Sequence, residues 1–427
     1  MSTLKVNKLR DTAGSADAIT LDPNGGAVLA GVTTVTSVKV GTGITISESG
    51  IDAGVGVGIT IRNINESHIG GRRRININGD MMVAQRGTSA SVSDGSNEGY
   101  STLDRWYLLY SSSAGGVITF SQDTDVPTDY TWGRFNHSAK LDVTTADTSI
   151  SDAHAVTLQY RIEAKDIRNS GWNYTSSDST LSVSFWAKSV KAGTYCVFLF
   201  TIDGTQRNNV QEYTLEANTW KHVELEFPGD STITFDDNYD NGMTVGWALQ
   251  AGAHRYESVV NGQWISRNDG NAQGRYATSN QVNFLDSTDN NFYLTGVQIE
   301  VGKATRFEHR SYGEELQLCS RYFQQFEGGS NSLFATGFTA TNDFYGGGTL
   351  PMGKMRAAPT IAVDGTLSHL NYTHVAVARD ASAITNQGSG DTSFVVRLQS
   401  TSTTTDNAGA YARITNSSTN LTFDAEI

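Results

Sequence analysis

The sequence predicts an all-β protein: an oligomeric β stem, an antiparallel jelly-roll sandwich, one short helix and a small C-terminal β domain. Three observations carry this reading. First, 43 Gly stand against 5 Pro among 427 residues, with long stretches of Ser, Thr and Asn, a composition suited to many short strands joined by glycine turns. Second, apolar and polar residues alternate in run after run, most cleanly in Leu181 to Lys188, LSVSFWAK. Third, a single convincing segment, Glu314 to Phe326, repeats its apolar residues at helical intervals.

Composition also bounds function. With 31 basic against 44 acidic side chains the formal net charge is −13, which argues against a basic nucleic-acid binder. Aromatics at 10% and charged residues at 18% are the reverse of an acidic disordered tail. Cys196 and Cys319 cannot scaffold so long a chain and lack paired metal-ligand spacing, so both read as structural thiols. No apolar run approaches the roughly 18 residues of a membrane span, and Met1 to Arg10 has no apolar signal core, so folding in a cytosol is expected without membrane insertion.

Residues 1–74 contain no Trp, Tyr or Phe. A globular core built from them would be thin. Strand-like pieces are nevertheless present in Ala27 to Val35, Val38 to Ile46 and Gly54 to Ile61. Winding identical chains together would cover such narrow apolar faces, so an oligomeric stem is expected here. Residues 75–312 hold all the Trp and most Tyr and Phe, with alternating runs at Leu181 to Lys188, Thr194 to Phe200, Val223 to Phe227 and Met243 to Leu249. They read as a two-sheet sandwich whose core takes Trp186, Phe198, Trp220, Phe227, Trp247 and Leu294. Residues 313–328 read as a connecting helix, with Glu314 and Glu315 in its first turn and Gly328–Gly329 ending it. Residues 329–427 return to short strands: Ser332 to Thr341, Thr360 to Val363, Thr373 to Ala378, Ser393 to Gln399, Ala410 to Thr415 and Leu421 to Ile427.

Five motifs, Ile77 to Gly87 (INGDMMVAQRG), Leu103-Asp-Arg-Trp106, Leu181 to Lys188, Phe292 to Val301 (FYLTGVQIEV) and Phe307 to Leu316 (FEHRSYGEEL), resemble the central domain of phage tail-fibre proteins. The opening Ser2 to Asp11, STLKVNKLRD, resembles the N-termini of tail-fibre-like proteins of phages infecting marine cyanobacteria. The motifs cover about residues 75–325. The resemblance implies a virion protein, usually a homotrimer, attached to phage tail proteins by its N-terminal segment and directed toward the host surface. It further implies a jelly roll similar to carbohydrate-binding modules and adsorption by multivalent binding of surface polysaccharide. Residues 329–427 would then be the receptor-binding tip. The competing readings are a structural adaptor or decoration subunit of the virion and a polysaccharide depolymerase.

Several residues invite a chemical role. Trp132, Trp172, Tyr174 and Trp264 sit among polar and glycine-rich neighbours (TWGRF, SGWNY, NGQWIS), as exposed aromatic platforms for glycans would. The alternative is that they fold back over a sandwich edge. Asp104-Arg105-Trp106 could recognise a sugar, but a buried Trp beside a structural ion pair is preferred. Asp236, Asp237 and Asp240 offer oxygen ligands for calcium, as do Asp286 and Asp289 with Asn290 and Asn291, without the full EF-hand order; a solvated turn is preferred and no cofactor is required. Arg72-Arg73-Arg74 is the one dense basic run and is expected to pair with carboxylates of neighbouring chains. The eight His show no zinc spacing. Gly229-Asp230-Ser231 lacks the strand-to-helix context of a hydrolase serine, Gly54 to Gly58 lacks the Lys of a phosphate loop, and no carboxylate pair can be assigned, so an enzyme is not expected.

Overall fold

The structure, a computed structural model, describes residues 73–111, 114–266, 274–327, 332–341, 343–365, 367–371, 379–380, 383–399, 408–414 and 420–427, together with six short strands nearer the N-terminus. The chain divides into two compact units, Met1–Ile64 and Asn65–Ile427. In the first, β1 (Lys8–Arg10), β2 (Asp17–Leu21) and β3 (Ala27–Leu29) form one antiparallel sheet. A second contains β4 (Ser37–Val40), β5 (Ile44–Ser47) and β6 (Gly50–Ala53). The single strand expected over Val38 to Ile46 is therefore a hairpin, with Val40 opposite Ile44. Between those strands the sequence supplies Gly41 and Gly43, the residue type a reversal tolerates best. The strand expected at Gly54 to Ile61 lies outside the described residues, as does that at Thr373 to Ala378.

The second unit begins with a two-sheet antiparallel sandwich of jelly-roll type. Its strands are β7 (Ser89–Val92), β8 (Trp106–Ser111), β9 (Val117–Asp123), β10 (Ser138–Thr145), β11 (Ala155–Glu163), β12 (Thr180–Ser189), β13 (Gly193–Thr201), β14 (Arg207–Leu215), β15 (Lys221–Pro228), β16 (Asn241–Ala251), β17 (Trp264–Ser266) and β18 (Asn291–Val301). One sheet runs β15-β12-β18-β10-β9-β7 and the other β17-β14-β13-β16-β11-β8. A short helix that the sequence did not announce, α1 (Ala164–Asn169), follows β11 and buries Ala164 and Ile167.

Alternation explains which expected core residues meet between the sheets. On β12, Leu181, Val183, Phe185 and Ala187 point inward, and they join Phe227, Trp247 and Leu294 in one buried cluster. Phe198 is buried elsewhere. It shares the outer face of β13 with Cys196 and Phe200, under Tyr276 and Ala277, because its neighbours Val197 and Leu199 take the inner positions. Gly246 makes this possible, since a Cβ there would stand 2.2 Å from the Phe198 ring. Trp186 and Trp220 are likewise outside the inter-sheet core. They lie on the outer face of the first sheet, where Trp186 is buried and Trp220 only half-buried.

The helix expected over Glu314 to Phe326 is shorter. α2 (Tyr312–Cys319) is N-capped by Ser311, whose hydroxyl accepts from the Glu314 amide at 3.3 Å. The chain then turns into β19 (Phe323–Glu327), which pairs with the terminal strand β28 (Asn420–Asp424). Phe323 and Phe326 thus fit a helical repeat by spacing, but a partner about a hundred residues downstream claims their backbone.

The remaining strands are β20 (Leu333–Ala340), β21 (Asp343–Thr349), β22 (Thr360–Asp364), β23 (Leu367–Asn371), β24 (Arg379–Asp380), β25 (Ala383–Ser389), β26 (Ser393–Gln399) and β27 (Gly409–Ile414). They form a three-stranded sheet, β19-β28-β22, and a seven-stranded one, β24-β23-β27-β20-β21-β26-β25, over their own core of Phe344, Phe394, Val396, Leu398, Leu421 and Phe423. A seam of charges ties this part to the sandwich. Arg105, 1% exposed, pairs with Glu426 and stacks 3.5 Å from the Tyr322 ring centroid. Arg86 reaches Asp424 at 3.0 Å, and Arg161 donates to the Ile427 carbonyl at 2.7 Å.

Candidate functional site

Part of the outer face of the first sheet carries aromatics in place of the usual polar residues. At one end of β12 and β18 the outward positions include Trp186, Lys188 and Tyr293, and register places Lys188 beside Tyr293 and Tyr293 beside Lys140 of β10. A row Lys140–Tyr293–Lys188 therefore crosses three strands. Trp220, just before β15, closes the row, with its ring centroid 6.0 Å from that of Tyr293 at 60°. Lys188 lies 4.4 Å from the Tyr293 centroid and 5.3 Å from that of Trp220.

Hydrogen bonds fix these side chains. Asp125, on the loop after β9, accepts from the Trp220 Nε1–H at 3.0 Å and pairs with Lys188. Burial opposes its ionisation, but the bonds from Lys188 and Trp220 outweigh it and hold the carboxyl below the ordinary range. Beside this row, Trp132 lies flat on His222, centroids 4.2 Å apart and planes inclined by 11°, and Trp186 packs on the same imidazole at 5.2 Å. Burial, only partly countered by Asp129, pushes the His222 imidazole down to about 4. The stack is therefore neutral at pH 7. Trp220 and Trp132, half-buried over the nearly covered Tyr293 (8% exposed) and Trp186 (4% exposed), present ring surface with an ammonium and a carboxylate at the edge, and such a surface can stack on an apolar sugar face and bond its hydroxyls.

Of the four aromatics singled out from the sequence, the structure brings one to this face, Trp132. Trp172 is 3% exposed, donates to the Ser179 carbonyl at 3.1 Å and belongs to the inter-sheet core, which corrects its reading as an exposed platform. Its polar sequence neighbours mislead because its apolar contacts come from other strands. Tyr174 packs edge-on against Trp172 and Phe235, and Trp264 leans on the same core while donating to the Pro228 carbonyl at 2.7 Å. Both are half-buried sandwich-edge residues. Tyr293, Lys188, Lys140 and Asp125 were not anticipated. The available signal was that Trp186, Lys188 and Tyr293 fall out of phase with their strands' core positions.

The acidic loops do not converge. Asp237 pairs with Lys165 at 3.7 Å and Asp240 with Arg356 at 3.7 Å, while Asp236 faces Asp203. Asp286 pairs with Lys191 and accepts from the Asn290 amide at 2.9 Å, and the Asp289 amide donates to the Ser287 hydroxyl. Among the described residues, no three His, Cys, Asp or Glu side chains gather as metal ligands would. Within the chain, the Arg73 and Arg74 backbone amides donate to Glu308, and the Arg74 guanidinium pairs with Glu315 at 2.5 Å. Arg72 lies outside the described residues. Asp104, Arg105 and Trp106 are all buried, with Asp104 accepting from the Gln85 amide at 2.9 Å. The two free thiols are buried, and burial pushes that of Cys196 up to about 11.

No protein-family model matches the sequence, and a search of curated proteins finds none similar to it. Among solved structures the chain is similar to the enzymatically active domain of tailspike protein 4 of bacteriophage CBA120, with 14% identity over 49% of this chain and 21% of that chain and a TM-score of 0.25. It thus spans about a fifth of that tailspike chain. A CBM4 structure aligns at 15% identity over 53% of this chain and 99% of that one, with a TM-score of 0.27. The C-terminal family 22 carbohydrate-binding module of Clostridium thermocellum Xyn10B aligns at 16% identity over 47% and 88%, with a TM-score of 0.25. These overlaps are partial, and the functional reading rests on the residues of the face itself.

Proposed function

We propose that the chain is a non-enzymatic saccharide-binding fibre protein of a phage tail, which mediates adsorption to polysaccharide on the host surface. The observation that carries this is the half-exposed Trp220 beside Tyr293, pinned by Asp125 and Lys188 on a sheet face. The motif resemblance over residues 75–325 supports the virion setting. In this reading residues 1–74 brace a homotrimer and attach it to tail proteins. The protein is made in the host cytoplasm and acts outside the cell on the virion.

A shallow face binds one sugar weakly, and copies on a trimeric fibre raise the effective concentration, adding about 10²- to 10⁴-fold in avidity. Weak individual sites suffice. The test is competition: saturating purified chain should block phage adsorption, and Trp220→Ala chain should block it poorly. Unchanged adsorption in the presence of wild-type chain contradicts the proposal. Release of reducing ends from host polysaccharide would replace binding with depolymerisation.

A further inference from the structure

Away from the sheet face, a cleft of about 610 Å³ opens where α1, α2 and the stretch from Arg73 to Ile77 meet. That volume lies in the range of small-molecule sites. Its wall is strongly positive on a chain whose net charge is −13: Arg73, Arg74, Arg310, Arg321 and Lys354 line it against one acid, Asp166. The cations form two layers. Arg74 and Arg310 are buried beneath, paired with Glu315 at 2.5 and 3.5 Å. Arg321, Lys354 and Arg73 reach solvent, with the Arg321 side chain 35% and the Lys354 side chain 66% exposed.

The counter-charges sit to the side rather than in the cleft. Glu163 holds Arg321 from the sandwich at 2.9 Å, and Asp391 holds Lys354 at 2.8 Å through one of its three donor hydrogens. Asn169 and Gln317 add neutral polar groups, while Ile75 and Leu318 supply apolar wall. A bare inorganic ion would use the cations and leave the rest idle. A sugar-sized molecule with one anionic group would use all three kinds of surface.

We propose that this cleft binds a sugar-sized organic oxyanion, carboxylate, sulfate or phosphate ester, independently of the Trp220 face. The experiment is calorimetric titration of the full chain at fixed ionic strength with glucuronate, glucose 6-phosphate, inorganic phosphate and glucose. At least one sugar acid should bind at least tenfold more tightly than either phosphate or glucose, and the order of the two sugar acids identifies the preferred anionic group. Arg73→Glu with Lys354→Glu, both exposed positions, should weaken that binding at least tenfold with an unchanged circular dichroism spectrum; Lys354→Gln alone serves if the double variant does not fold. Trp220→Ala should leave it unchanged, which separates this site from the sheet face. Phosphate or glucose binding as tightly as the sugar acids, or full affinity in a folded charge-altered variant, would overturn the proposal.

Discussion

The indole of Trp220 donates its Nε1–H to the carboxylate of Asp125 at 3.0 Å, and the same carboxylate holds Lys188. One acidic side chain therefore fixes the ring that offers a flat surface and the ammonium at its edge. Asp125→Ala should loosen both while leaving the inter-sheet core intact. Saccharide affinity is expected to fall severalfold through slower capture and faster release, whereas Trp220→Ala removes the surface and should cost roughly tenfold, about 1.4 kcal/mol. Equilibrium binding of both variants to host polysaccharide checks the order. An Asp125→Ala protein that binds like wild type would show that the ring needs no pin.

His222 and the stack above it predict a titration. Its imidazole sits at about 4, chiefly through burial, so the folded state resists a proton that the unfolded chain takes up near pH 6.5. The unfolded state thus binds more protons between those values, and this group's stabilising contribution is lost as pH falls from about 6.5 to 4. NMR titration of the His222 ring should give a midpoint near 4. A midpoint above 6 would mean the Trp132 stack does not exclude water.

Asp80 predicts the opposite slope. It is buried, with Oδ1 unpartnered, and burial raises its carboxyl to about 6, with Arg74 opposing and Glu315 reinforcing the shift. Its folded pKa lies above its unfolded value, so its contribution is present below about pH 4 and lost as pH rises through 6. Asp80→Asn should therefore stabilise the protein at pH 7.5 by about 1–3 kcal/mol, with the gain closing near pH 4. Urea unfolding at the two pH values measures it. A destabilised variant at pH 7.5 would show that Arg74 depends on this carboxylate.

The Arg105–Glu426 pair joins segments 321 positions apart, and both side chains are nearly inaccessible. Removing one member leaves a buried charge alone, at about 3–5 kcal/mol. Arg105→Ala should lower stability by that order, and Arg105→Ala with Glu426→Ala should cost less than the two single changes added together. Strict additivity in the double-mutant cycle would contradict a direct pair.

Much of the fold was legible because alternation is local. Leu181 to Lys188, Thr194 to Phe200 and Met243 to Leu249 lie inside β12, β13 and β16, since each strand's period-two pattern is written in its own residues. β21 escaped because Gly346, Gly347 and Gly348 weaken any strand signal, yet close contacts require small residues there: a Cβ on Gly346 would stand 2.2 Å from the Phe344 ring. Phe323 and Phe326 misled for the reason that pairing with β28 is non-local. The site was read least well. Polar neighbours in sequence do not show whether Trp172 joins the inter-sheet core or faces solvent, and Tyr293, Lys188 and Asp125 come together only through strand register and a returning loop.

The most direct measurement is the affinity of the full chain for purified host surface polysaccharide, wild type against Trp220→Ala/Tyr293→Ala, with folding verified for both. The account predicts retention of the wild-type chain and loss of most binding in the double variant. Equal binding by a folded double variant would contradict it.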